Sequence, residues 1–141
     1  METKTATRPA GTAWVVAGIG IALVTVALLK RTEGKLYVFC QQHPEIDRVT
    51  WTSLALILGA LVATVTSAVT LARLRPRTIL PAVTSLAAVL LTLIGADAID
   101  AYGEHLAQAA AAPGRPDDGN CAYVVPTYNA TPGSYFPFTW S

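Results

Sequence analysis

Three long stretches of the chain consist of apolar and small polar residues without one ionisable side chain. They are residues 11–29, 50–72 and 78–96. A hydrocarbon core about 30 Å thick takes roughly 20 residues of helix, because each residue rises about 1.5 Å. Buried strands also give continuous apolar runs, but these usually last about 4–8 residues. The pattern therefore predicts an all-α membrane protein with three transmembrane helices.

The same pattern divides the chain into eight segments. After the third span, an alanine-rich sequence predicts that the helix continues beyond the membrane, since alanine is the best helix former, until Pro113 and Gly114 end it. In order, the segments are the N-terminal segment (1–10), the first span (11–29), the connector (30–49) and the second span (50–72). The basic turn (73–77), the third span (78–99), the helical extension (100–112) and the extended tail (113–141) follow.

Composition agrees with a membrane protein, since only 13% of residues are charged and 52% are hydrophobic. In soluble domains about a quarter of the residues are charged.

Lys4 and Arg8 precede the first span as in a signal peptide, but Lys30 and Arg31 follow it directly without a small-residue cleavage site, so we expect a retained anchor. The net charge of +1 gives no reason to expect a nucleic-acid partner.

Basic residues predict the orientation. Arg73, Arg75 and Arg77 crowd the turn between the second and third spans with no acid beside them, which places this turn in the cytoplasm. The N-terminus is then cytoplasmic, and the connector and the tail are external. The connector contains four basic residues of its own, Lys30, Arg31, Lys35 and Arg48. We base the orientation on the turn because its three arginines are closer together in sequence. The bias towards Ala, Val, Thr and Arg favours a bacterial inner or plasma membrane.

Both cysteines fall in segments predicted to be external. Cys40 lies in the connector and Cys121 in the tail. Disulfides form and persist in oxidising compartments, and this one would close a long loop, worth about 4 kcal/mol in the chain-entropy model. We therefore expect a Cys40–Cys121 disulfide. Two unrelated thiols are the alternative, and neither cysteine belongs to a Cys-x-x-Cys metal pair.

An acidic face follows the third span. Asp97, Asp100 and Glu104 are spaced by three and four residues, so they share one helix face, with His105 beside them and His43 in the connector. Carboxylates and imidazoles at a membrane surface can bind a cation or pass protons. The preferred interpretation is that these side chains are exposed to water where the third helix leaves the membrane, so no metal site and no cofactor are predicted. No ionisable residue lies deep in a span, which argues against a pump or coupled transporter.

Small residues recur every four positions in two spans. They are Gly18 and Ala22 in the first span, and Gly59, Ala63 and Ser67 in the second. Such faces let helix backbones approach closely and gain contacts in a solvent as apolar as the side chains. The sequence leaves open whether these faces pack within the chain or against another protein.

The tail is uncharged after Cys121 and dense in aromatic residues and proline. Disordered tails are usually poor in aromatics, and aromatic side chains are typical interface anchors, so we expect the tail to dock on a partner. An aromatic belt at the lipid headgroups is the alternative. The candidate anchors are Tyr123, Tyr128, Tyr135, Phe136, Phe138 and Trp140.

No catalytic motif is present: the chain has no glycine-rich phosphate loop, zinc-protease motif or nucleophile elbow, and no histidine pair placed to hold haem in a span. Ser53, Ser67 and Ser85 lie in apolar helices without a nearby base, and we expect their hydroxyls to bond back to the preceding turn. Neither enzymatic activity nor a small-molecule substrate is expected.

Three functions follow from this pattern. The first is a non-enzymatic accessory subunit of a larger membrane complex, with a bacterial respiratory oxidase or cytochrome supercomplex as the preferred host. The second is a self-assembling pore or holin-like protein, for which a polar stripe over Thr64, Thr66, Ser67 and Thr70 gives weak support. The third is a membrane-bound metal-binding or assembly factor.

Overall fold

A computed structural model of the chain describes residues 10–33, 36–39, 42–74, 78–111 and 127–129, together with Tyr135. This part of the chain is helical apart from one short two-stranded ribbon. In chain order the elements are α1 (Ala10–Thr32), β1 (Leu36–Val38), α2 (Pro44–Leu74), α3 (Leu80–Ala110) and β2 (Thr127–Asn129).

All three helices are long and apolar enough to cross a membrane, which confirms the three predicted spans and indicates a multi-pass membrane protein. α2 and α3 have 31 residues each. At about 1.5 Å per residue each is roughly 46 Å long, whereas the hydrocarbon core is about 30 Å thick. α3 is one uninterrupted helix to Ala110, so most of the alanine-rich segment after the third span is helical.

α2 begins six residues before the span that the charge-free stretch predicts, at Pro44 rather than residue 50. Proline suits the first turn of a helix because its missing N–H would have no partner there. The carbonyl of His43 accepts hydrogen bonds from the N–H groups of Ile46 and Asp47, at 3.0 and 3.2 Å. Acidic side chains in this first turn also complement the helix dipole. The link between α1 and α2 therefore covers residues 33–43.

The helices form a three-helix bundle in which each contacts the other two. Residues that fill its core are mostly alanine, valine and leucine, and they fall into two clusters. One holds Val24, Ala27, Ile57, Ala60, Val89, Leu93, Ala96 and Tyr135, and the other holds Ala13, Val16, Leu71 and Ala82. The second cluster joins the start of α1, the end of α2 and the start of α3. We call the end of the bundle where this cluster and Arg73 lie the basic end, and the opposite end, where Glu33, Glu45 and Asp47 lie, the acidic end.

Large apolar side chains cover the outside of the bundle. Trp14 is 77% exposed, Trp51 69% and Leu91 68%, one on each helix. A soluble monomer rarely exposes apolar patches on this scale. The outward surface is therefore suited to lipid tails or to neighbouring membrane helices.

A short antiparallel ribbon ties the tail to the link between α1 and α2. In its register Leu36 pairs with Asn129, Tyr37 with Tyr128 and Val38 with Thr127. Because β1 begins four residues after the end of α1, β2 lies at the acidic end of the bundle.

Candidate functional site

The acidic face of α3 is buried, not solvated. Asp97, Asp100 and Glu104 are 1%, 6% and 8% exposed. Their spacing does place them on one face, as predicted, but this face is turned into the bundle at its acidic end. The interpretation of these residues as a solvated exit from the membrane is therefore wrong. Buried carboxylates need partners, because transfer from water without them is unfavourable.

Arg31, at the end of α1, supplies the opposite charge. Its side chain is 14% exposed, and its Nε lies 3.8 Å from Oδ1 of Asp100, whose side chain is 7% exposed. The guanidinium also donates a hydrogen bond from Nη2 to the carbonyl oxygen of Thr50, at 2.6 Å. Arg31 therefore links the end of α1 to the first half of α2 and the last third of α3.

Tyr135 brings the tail into the same place. Its backbone N–H donates to Oδ1 of Asp97 at 2.7 Å, and its hydroxyl lies 3.1 Å from the hydroxyl of Ser53. Ser53 in turn donates to the carbonyl oxygen of Ala96 at 3.2 Å. The expectation that Ser53 bonds back to its own helix is wrong, whereas Ser85 does so, donating to Pro81 at 2.7 Å. We call Arg31, Ser53, Asp97, Asp100, Glu104 and Tyr135 the buried polar cluster.

The environment of Tyr135 favours the protonated phenol. Burial raises the pKa of its hydroxyl well above the usual value of 10.0; the hydrogen bond with Ser53 and the charge of Arg31 lower it, and the charge and hydrogen bonding of Asp100 raise it further. The net direction is upward. The hydroxyl therefore remains a hydrogen-bond donor at physiological pH.

Two buried polar atoms in this cluster have no hydrogen-bond partner among the described residues: Nε of Arg31 and Oδ2 of Asp97. Leaving such an atom unsatisfied costs about 1–3 kcal/mol. Tyr135 is 4% exposed and packs with the larger apolar cluster beside it. Apolar packing around Tyr135 therefore offsets the cost of the two unsatisfied polar atoms.

The structure sets His105 apart from the other weak metal candidates. His105 is exposed, while its acidic neighbours on α3 are buried. The ring of His43 packs edge-on against Phe39, with ring centroids 5.1 Å apart. Among the described residues, no group of three or more His, Cys, Asp or Glu side chains is placed to hold a metal ion. The geometry is that of an ion pair and an anchor for the tail.

The small-residue faces lie largely outside the internal packing. Gly18, Ala22 and Gly59 are exposed, and a Cβ added at either glycine would meet nothing within 4 Å. Ala63 and Ser67 are half-buried, and Ala63 packs against the core. Close approach within the bundle occurs instead at Gly20 on α1 and at Gly103 on α3, neither of which the sequence argument singled out.

Most of the predicted tail contacts fall outside the described residues. Tyr128 lies in β2, opposite Tyr37, and Tyr135 is in the buried polar cluster. The remaining aromatic anchors and both cysteines lie outside the described part of the chain: Cys40, Cys121, Tyr123, Phe136, Phe138 and Trp140.

Sequence reasoning missed Arg31 and Ser53 as members of this site. One signal was available for Arg31, because a bundle of antiparallel helices brings the end of the first span beside the acids that follow the third. Ser53 gave no comparable signal, since its partners are a backbone carbonyl and a residue 82 positions away. Comparison of the chain with protein-family models, with curated proteins and with solved structures finds no match.

Proposed function

We propose that this chain is a non-enzymatic accessory subunit of a larger membrane complex. The observation that carries the proposal is the outward position of Gly18, Ala22 and Gly59, which leaves open backbone surface on α1 and α2. Small residues at an exposed helix surface permit close packing of another helix. A helix surface that faces only lipid would gain no such packing from small residues.

The anchored tail supports the same proposal. Tyr135 fixes one point of the tail on α2 and α3, and the ribbon fixes another beside the end of α1. A chain segment held at two points has fewer conformations to lose, so binding of a partner by the tail would cost less conformational entropy. In this proposal the acidic end is external and the host is a bacterial respiratory oxidase or cytochrome supercomplex, a type of complex that often carries small helical subunits.

The pore alternative is less well supported. Thr64 is buried and donates to the carbonyl of Ala60 at 2.8 Å. Thr66 and Thr70 are exposed, but their hydroxyls donate to carbonyls of their own helix, to Val62 at 2.9 Å and to Thr66 at 2.7 Å. These side chains do not form a continuous polar stripe that would line water. The metal-factor alternative is also less well supported, because Asp97, Asp100 and Glu104 are buried whereas His105 is exposed.

Affinity purification from the native membrane tests the proposal. The tagged chain, extracted in mild detergent, is expected to carry at least one stoichiometric partner, identified by mass spectrometry. Gly18→Leu and Gly59→Leu are expected to lose that partner, because each fills an open helix surface. Ala87→Leu, at an exposed position on α3, is the matched control and is expected to retain it. A wild-type chain that migrates alone contradicts the proposal, and one that forms only homo-oligomers with ion conductance favours the pore.

Thiol labelling tests the orientation and the disulfide together. The ribbon joins the two segments that contain Cys40 and Cys121, since Cys40 follows Val38 by two residues and Cys121 precedes Thr127 by six. In sealed cells both thiols are expected to react with an impermeant reagent from outside, and only after reduction. Labelling of Cys121 from the cytoplasmic side alone would show that the orientation is reversed.

A further inference from the structure

An apolar groove lies between α1 and α2 towards the basic end of the bundle. Its volume is about 390 Å³, and it is lined by four alanines, among them Ala17 and Ala68, and by Trp14, Val65 and Val69. The alanines leave the space open, because a larger side chain at any of them would fill it. Its volume is within the range of about 300–1,000 Å³ found for small-molecule sites.

A basic residue, Arg73, lies next to this groove in sequence, at its end nearest the basic end of the bundle. Arg73 directly follows the last groove residue on α2, is exposed, and forms no ion pair with any residue in the described ranges. By sequence, residues 1–9 and 73–77 together carry five basic residues and one acid, and the other eight of the nine acids belong to the acidic end or to the tail. At the groove itself the partial positive charge at the start of α1 and the partial negative charge at the end of α2 oppose each other, so net charge there comes from side chains.

We propose that the groove holds an acyl chain of an anionic phospholipid whose phosphate is bound at Arg73. Inside a bilayer, apolar contact alone does not select one lipid, because lipid tails are as apolar as the groove. Selection comes from the headgroup, since one basic residue near the membrane surface raises the affinity for an anionic lipid about fivefold over that for a zwitterionic lipid. An apolar groove whose last residue on α2 is followed directly by an exposed arginine matches both parts of such a lipid.

Charge also disfavours a second copy of this chain as the occupant. Two copies packed side by side in the same orientation through this groove would bring their basic ends together, and like charges at an interface oppose association. A zwitterionic lipid fits the groove equally well but gains no net attraction at Arg73. An anionic lipid therefore satisfies the groove and its surroundings together.

Fluorescence quenching tests the proposal, because Trp14 is a wall of the groove. The Trp51→Phe/Trp140→Phe variant leaves Trp14 as the reporter. It is reconstituted in phosphatidylcholine vesicles that contain a small fraction of brominated phosphatidylglycerol or brominated phosphatidylcholine. The brominated anionic lipid is expected to quench Trp14 about fivefold more effectively per molecule. Arg73→Gln is expected to abolish the difference, and Arg73→Lys to retain it.

Two controls separate the groove from the general lipid surface. Trp51, left as the reporter by Trp14→Phe/Trp140→Phe, lies on α2 near the acidic end. It is expected to show no preference for the anionic lipid, because the exposed Glu45 and Asp47 outweigh the charge of Arg48 there. Ala68→Leu fills the groove and is expected to bring quenching of Trp14 by the anionic lipid down to the level of the zwitterionic one. Equal quenching of Trp14 by both lipids, a preference that survives Arg73→Gln, or shielding of Trp14 from both lipids by a protein would each overturn the proposal.

Discussion

Individual residues of the buried polar cluster depend on one another. Asp100 is buried beside Arg31, so removal of the guanidinium leaves a buried carboxylate without this opposite charge. Breaking a buried ion pair by removing one partner typically costs about 3–5 kcal/mol, whereas an exposed pair contributes about 0–1 kcal/mol. Arg31 and Lys30 are sequence neighbours that differ in this respect.

Replacement of these two neighbours gives a direct comparison. Arg31→Gln is expected to lower the free energy of unfolding by about 3–5 kcal/mol. Lys30→Gln removes an ion pair between Lys30 and Glu33, whose side chains are 52% and 68% exposed respectively. This substitution is expected to change the free energy of unfolding by less than about 1 kcal/mol. Denaturation of both variants in the same detergent micelles measures the difference. Equal effects would show that burial of the Arg31–Asp100 pair has no energetic consequence.

The contact between Tyr135 and Ser53 is a second test at this scale. Tyr135→Phe and Ser53→Ala each remove one hydroxyl of a hydrogen bond between buried side chains. A double-mutant cycle is expected to give a coupling free energy of about 0.5–1.5 kcal/mol. Protection of the tail from protease in detergent gives the readout. Additive effects of the two substitutions would mean that the hydroxyls do not interact.

Ser53 also shows where prediction from sequence stops. Threonine and serine in apolar helices commonly bond back to the preceding turn, and Ser85 follows that rule at 2.7 Å. Ser53 departs from it because α3 and the tail bring better-placed partners to the same hydroxyl. The periodicity of Asp97, Asp100 and Glu104 predicted their common face, but whether that face meets water or the bundle depends on helix rotation.

Among the helices, the tightest glycine contact is between Gly20 of α1 and Thr64 of α2. A Cβ built at Gly20 would lie 2.7 Å from Oγ1 of Thr64 and would clash with its Cγ2. Gly18, two residues earlier, faces the opposite side and meets nothing within 4 Å. A four-residue repeat of small residues identifies glycine-rich faces, yet only the assembled bundle shows which of them faces α2.

Alanine substitution separates the two glycines. Gly20→Ala is expected to destabilise the bundle by about 1–3 kcal/mol, as in other cases of overpacking. Gly18→Ala is expected to be neutral or stabilising by up to about 1 kcal/mol, because alanine has the higher helix propensity. Unfolding in matched micelles compares the two variants. A Gly20→Ala protein as stable as Gly18→Ala would contradict the close contact with Thr64.

Considered as a whole molecule, the bundle is polarised in both charge and chemistry. The acidic end contains the buried polar cluster and the anchored tail, and the basic end contains the groove and Arg73. The uncharged stretches predicted the three long helices because membrane thickness sets a minimum length for an apolar helix. Return of the tail to α2 and α3 through Tyr135 was not predictable, since it depends on contacts distant in sequence.

Embedding of the three helices in lipid is the claim on which this interpretation depends. The most direct measurement is the distribution of the full chain after its membranes are washed with alkaline carbonate and then extracted with detergent. We expect the chain to stay in the membrane pellet through the carbonate wash and to enter solution only with detergent, because large apolar side chains cover all three helices. A chain that remains dissolved, compact and helical in buffer without detergent would contradict the membrane-embedded bundle.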